Sequence, residues 1–158
     1  MSQEEKIFLN MAGEFAVASE LNRRQVLASV TYGSSKSADI FAVNREMTRV
    51  VRIEVKTTGL RKWPIGTKAT DLTPNYADLF WVLVLLPVAH NGLPIIDEAQ
   101  RGRHAPRFFV LSAEELYGVW KREARLYEER YRSRHGHPFQ GLGVPNVSLE
   151  GVEQHEDQ

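Results

Sequence analysis

Residues Ser37–Thr58 read SADIFAVNREMTRVVRIEVKTT, and the fold turns on how this stretch doubles back on itself. Two runs of strand-forming residues, Ala38–Asn44 and Val50–Thr58, flank a turn at Glu46 and Met47. A hairpin about that turn sets Asn44 opposite Arg49, Ala42 opposite Val51 and Asp39 opposite Glu54. Ile40, Ala42, Val51, Ile53 and Val55 then share one face. Asp39, Arg52, Glu54 and Lys56 share the other, mixed with Phe41 and Val43. Two opposed carboxylates weaken a hairpin. A divalent cation held between them would turn that repulsion into a binding site.

Upstream, residues 3–24 are expected to be helical. Ser2 and Glu5 form a capping box that supplies partners for the first amides. Ile7, Met11, Ala18 and Leu21 recur at helical spacing, and Phe8 and Phe15 widen the stripe. Glu14 falls inside it, where a carboxylate is costly unless something cationic receives it. Gly13 beside it admits a close neighbour. Leu27–Tyr32 reads as the first of three successive strands.

Downstream, residues 59–75 read as a loop broken by Pro64, Gly66 and Pro74, with room for a short helix in the second half. LFWVLVLL, Leu79–Leu86, is continuously apolar, as a strand buried on both faces would be. His90–Pro106 reads as an irregular connection and Arg107–Leu111 as the last strand. Ser112 and Glu115 form a second capping box, opening a helix to Arg134 that docks through Leu116, Val119, Trp120, Leu126 and Tyr127. Together these predict one α/β domain over residues 1–149, a mixed sheet of about five strands flanked by helices and closed by a C-terminal helix. Residues 150–158 are expected to be an acidic, flexible tail.

The 158 residues suffice for one packed core, and the hydrophobic (42%) and charged (25%) contents are those of a globular protein. The absence of cysteine excludes disulfides, thiolate zinc sites and iron–sulfur clusters. The N-terminal sequence has no signal-like apolar run, and the longest apolar stretch, Leu79–Pro87, is too short to span a bilayer, so a cytoplasmic location is expected. Net charge is zero but unevenly spread. Residues 21–70 hold ten Lys/Arg against three Asp/Glu, whereas residues 71–100 carry four acids and no Lys or Arg. A basic region around the proposed site fits a polyanionic partner.

Asp39, then Glu54-Val55-Lys56, with an upstream helical Glu14, resembles the PD-(D/E)XK nuclease superfamily, most nearly its restriction-endonuclease-like and archaeal-type Holliday junction resolvase members. The resemblance covers residues 12–58 well and the remainder in layout only. One departure is that Ser37-Ala38, with no proline, precedes Asp39. It implies a restriction-endonuclease-like core, metal binding by Glu14, Asp39 and Glu54, and Lys56 near the scissile phosphate. Phosphodiester chemistry points the same way: a hard cation such as Mg²⁺, with Mn²⁺ as substitute, takes oxygen ligands. Asp39, Glu54 and the Val55 carbonyl would supply them. Glu14 would reach in from a helix over that face, as an outer-shell or second-metal ligand. Lys56 would orient or help deprotonate the water, or stabilise the pentavalent transition state.

The function these features predict is metal-dependent hydrolysis of DNA by an endonuclease. A homodimer would suit two-strand cutting, and a partner protein could supply targeting. Arg23, Arg24, Ser34, Lys36, Thr58, Lys62 and Lys68 are candidate nucleic-acid contacts, and Trp63 a candidate stacking residue. The alternative is a non-catalytic nucleic-acid-binding or assembly module on the same scaffold.

Overall fold

The computed structural model describes residues 2–31, 38–72, 76–86, 105–141 and 143–157. It is an α/β fold with a mixed five-stranded sheet flanked by helices. Helix α1 (Gln3–Arg23) leads into strands β1 (Leu27–Val30), β2 (Ile40–Val43) and β3 (Val50–Thr58), paired antiparallel in sequence order. β4 (Lys62–Pro64) and a 3-10 turn (Thr67–Thr70) follow, then β5 (Leu79–Leu85), which pairs parallel with β3, and β6 (Arg107–Ser112), which pairs antiparallel with β5. α2 (Ala113–His135), β7 (Asn146–Ser148) and the short α3 (Leu149–Val152) close the chain.

The hairpin register is the expected one: Ala42 faces Val51 and Ile40 faces Ile53. Its turn is held by Asn44, whose Oδ1 accepts from the Thr48 and Arg49 amides at 2.9 and 2.8 Å and so accommodates Met47 at φ 54°. Both capping boxes form. β5 is buried on both faces as its composition requires. Val82 and Val84 join Val17, Ala18, Ile40, Ala42, Ile53 and Val55 beneath α1. Trp81 and Leu83 join Phe109, Leu111, Leu116 and Val119 beneath α2.

Four expectations are corrected. α1 buries Leu9, Gly13, Val17 and Ala18, while Ile7, Phe8, Met11 and Phe15 remain exposed, so Glu14 borders the packed face rather than lying inside an apolar stripe. On α2, Leu116 and Val119 are buried, but Leu126 and Tyr127 are exposed because the helix outruns the sheet. Of the expected loop over 59–75, the short helix is present as the 3-10 turn Thr67–Thr70, but the first half holds β4, which pairs with β7, a strand that follows β6 and that the sequence did not reveal. The acidic C-terminal stretch packs: Val152 is fully buried, Glu156 forms a two-pronged pair with Arg107 at 2.6 Å, and the Asp157 amide donates to the Phe108 carbonyl. The irregular connection expected over His90–Pro106 lies mostly outside the described residues.

Candidate active site

Asp39 sits where β2 parts from β3. Pairing runs regularly to Ile40, and there the ladder breaks: the Asp39 amide donates to the Ile53 carbonyl at 3.0 Å, and Asp39 Oδ2 accepts from the Val55 amide at 2.7 Å. A side chain thus replaces the backbone acceptor that a continuing strand would provide. The amide and carbonyl of one strand residue face the same neighbour, so the Val55 carbonyl turns to this opening too. The other flank is tied down by Thr31, whose amide and hydroxyl donate to the carbonyls of Asp39 (2.9 Å) and Ala38 (2.7 Å).

Glu54 and Lys56 lie on the α2 side of β3. They line a cleft of about 400 Å³ with Trp81, Ile65 and Lys68, and Val144 stands at its rim. Glu54 is buried, 7% exposed, and is compensated by two ammonium groups: Lys56 Nζ at 3.8 Å and Lys68, which is hydrogen-bonded to it. A buried carboxylate needs such partners. Trp81 faces Glu54 across the parallel β3–β5 register, and its ring lies 5.7 Å from Lys56 Nζ. Its buried indole N–H has no hydrogen-bond partner among the described residues.

Glu14 approaches from the opposite face of the sheet, not the one predicted. α1 lies over Ile53, Val55 and Thr57; a Cβ on Gly13 would fall 1.8 Å from Thr57 Oγ1, so only glycine allows this approach. Glu14 nevertheless shares an electrostatic environment with the others. Burial raises its carboxyl above the usual value of 4.5, the Asp39 and Glu54 carboxylates raise it further, and Lys56 opposes them. Glu14 is therefore within electrostatic reach of Asp39, Glu54 and Lys56, across the sheet.

The proposed nucleic-acid contacts fare unevenly. Trp63 is fully buried, donating to the Val84 carbonyl at 3.0 Å and meeting Phe109 edge-on, so it is a core residue and not a stacking surface. Thr58 is buried, and its hydroxyl accepts from the Leu60 amide. Arg23 pairs with Glu20, and Arg24 with Glu20 and Asp157. Lys62 is exposed on β4. Lys68 turns to Glu54, a role no spacing signal marks. Ser34 and Lys36 lie outside the described residues.

The donor set suits a hard cation: three carboxylates and a carbonyl, with no sulfur or imidazole, and a Glu14 whose ionised form is opposed by burial and by the Asp39 and Glu54 carboxylates. Among the described residues, no three acidic or imidazole side chains are yet gathered around one point, and Glu54 is turned to Lys68. A cation bound at Glu54 would have to displace that lysine. In comparison with known proteins, the chain matches no family model and no curated relative. Among the described residues no helix is long and apolar enough to cross a membrane.

Proposed function

We propose that this chain is a PD-(D/E)XK-type, restriction-endonuclease-like enzyme that hydrolyses DNA phosphodiester bonds with Mg²⁺ and water. The observation that carries the reading is Asp39, held where β2 leaves β3 by the amide of Val55, which lies between Glu54 and Lys56 on the same strand, with Glu14 in electrostatic reach. Asp39, Glu54 and the Val55 carbonyl hold the ion, and Glu14 assists. When bound, that ion supplies charge neutralisation at the phosphate and a more acidic water. Asp39 is oriented for this by the Val55 amide. Lys56, 34% exposed at the cleft, would orient the water or receive charge developing on the phosphate.

A second reading, a binding or assembly module without catalysis, draws on one observation: Glu54 is already neutralised by Lys68 and Lys56. Supercoiled plasmid and branched DNA, incubated with Mg²⁺, Mn²⁺ or chelator, separate the two. The enzyme nicks DNA only with metal and loses this in Asp39→Ala and Lys56→Ala. DNA binding with every substrate left intact at both metals establishes the module instead.

A further inference from the structure

We propose that the C-terminal end of α2, with the segment folded back on it, is a stacking platform for unpaired bases of a nucleic-acid strand. This deepens the DNA reading and rests on it. The last buried residue of α2 is Val119, and Glu123 still reaches back to Ser148. Beyond that, the helix bonds to itself and to the segment after it. Tyr127, Tyr131 and His135, spaced one turn apart, form a continuous row, with Tyr131 and His135 centroids 4.3 Å apart. Phe139 returns edge-on to Tyr127 and Tyr131 at 5.4 and 5.2 Å.

This hook is preorganised. Gly136, at φ 76°, reverses the chain and donates to the Arg132 carbonyl, and Glu128 accepts from the Phe139 amide at 3.2 Å. Yet the outer rings stay in water: Tyr127 is 54% and Phe139 38% exposed, around a half-buried Tyr131. Rings fixed outside the core offer faces on which any base can stack. Arg130 and Arg134 run one turn apart on the adjacent stripe, exposed and without an ion-pair partner among the described residues. The nearby acids are engaged, Glu129 with Arg125 and Glu128 with Arg132 as well as the Phe139 amide. Stacking faces beside unpaired guanidinium groups match a single strand's bases and phosphates. Phe139 and Val144, a residue of the cleft lining, are five positions apart in sequence, so their Cα atoms are at most roughly 18 Å apart. A strand seated on the hook would thus lie within reach of the cleft.

The test is fluorescence anisotropy with the full chain in chelator, using labelled single strands of DNA and RNA, an abasic strand of the same length, and duplex DNA. The wild type is expected to prefer base-bearing single strands, whether DNA or RNA. Tyr127→Ala with Phe139→Ala is expected to weaken that binding about tenfold or more while leaving the abasic strand unchanged. Phe139→Trp should retain it, which separates stacking from damage to the hook. Arg130→Gln with Arg134→Gln should weaken both strands and flatten the salt dependence. Equal wild-type affinity for abasic and base-bearing strands, no single-strand binding, or no effect of the aromatic pair overturns the platform. Plasmid nicking by that aromatic variant is scored separately: cleavage with unaltered strand binding removes the platform and spares the nuclease. Base-dependent binding without cleavage does the reverse.

Discussion

The carboxylate of Asp39 accepts a hydrogen bond from the backbone amide of Val55 at 2.7 Å, so one side chain both mends a broken ladder and faces the proposed ion. These roles separate by substitution. Asp39→Asn keeps an oxygen for the amide and removes the charge; Asp39→Ala removes both. Charge-assisted hydrogen bonds contribute about 1.5–3 kcal/mol. Denaturant unfolding is expected to place Asp39→Ala lower in stability by an amount of that order and Asp39→Asn by less, with metal-dependent nicking absent in both. Nicking by Asp39→Asn at the wild-type rate would remove Asp39 from the metal set.

Lys68 would compete with a cation for Glu54. The lysine is about two-fifths exposed, which screens the pair and keeps its contribution near the 0.2–1 kcal/mol of partly solvated ion pairs. Lys68→Ala should therefore tighten Mn²⁺ binding, by up to roughly fivefold in calorimetry. Lys56→Ala also removes a positive neighbour, yet should abolish nicking. If both variants bind Mn²⁺ with wild-type affinity, Glu54 is not a ligand.

Gly13 sets the distance between α1 and β3. A methyl group there would meet Thr57 Oγ1 at 1.8 Å, and Thr57 belongs to a strand that cannot retreat. Gly13→Ala is expected to cost about 1–3 kcal/mol by overpacking, despite alanine's better helix propensity. Thr57→Ala removes the hydroxyl, which is buried without a partner among the described residues, so it should cost little alone. The double variant should recover part of the loss in thermal unfolding. An unchanged midpoint for Gly13→Ala would show that the helix is not seated against Thr57.

Much of this architecture is legible because local rules decide it. Alternation set the β2–β3 register, two Ser-x-x-Glu boxes marked the helix starts, and a fully apolar run marked β5. What escaped depends on long-range placement. The apolar stripe of α1 was misassigned because Ile7, Met11 and Phe15 have the right period, while the buried face is chosen by what β3 offers, a Thr57 that only Gly13 can approach. Trp63 read as a surface aromatic because β7, the strand that covers β4, is three residues long and lies more than eighty residues away. Glu14, Asp39, Glu54 and Lys56 were found as residue types. The face from which Glu14 arrives and the pairing of Glu54 with Lys68 follow from tertiary packing, which spacing does not encode.

Arg52 and Asp78 tie the start of β5 to β3 through two side-chain hydrogen bonds at 2.9 and 2.7 Å, and the Arg52 amide donates to the Asp78 carbonyl. This clamp holds the register that sets Trp81 beside Glu54. The hydrogen bonds from Arg52 hold the Asp78 carboxyl below its usual 3.8. A carboxylate with a depressed folded value adds stability above its unfolded value and loses it as pH falls through the folded one. The clamp is thus intact at neutral pH and fails only in acid below 3.8. Asp78 is nearly half exposed, so solvent screening limits its contribution to under about 1 kcal/mol. Asp78→Asn should therefore be slightly less stable than the wild type at neutral pH, and the two unfolding curves should converge in acid. The other depressed carboxylates, Glu115 and Glu156 among them, are common to both proteins and cancel in the difference. A difference that holds constant down through acid pH would show that the loss comes from packing around Asp78, not from its charge.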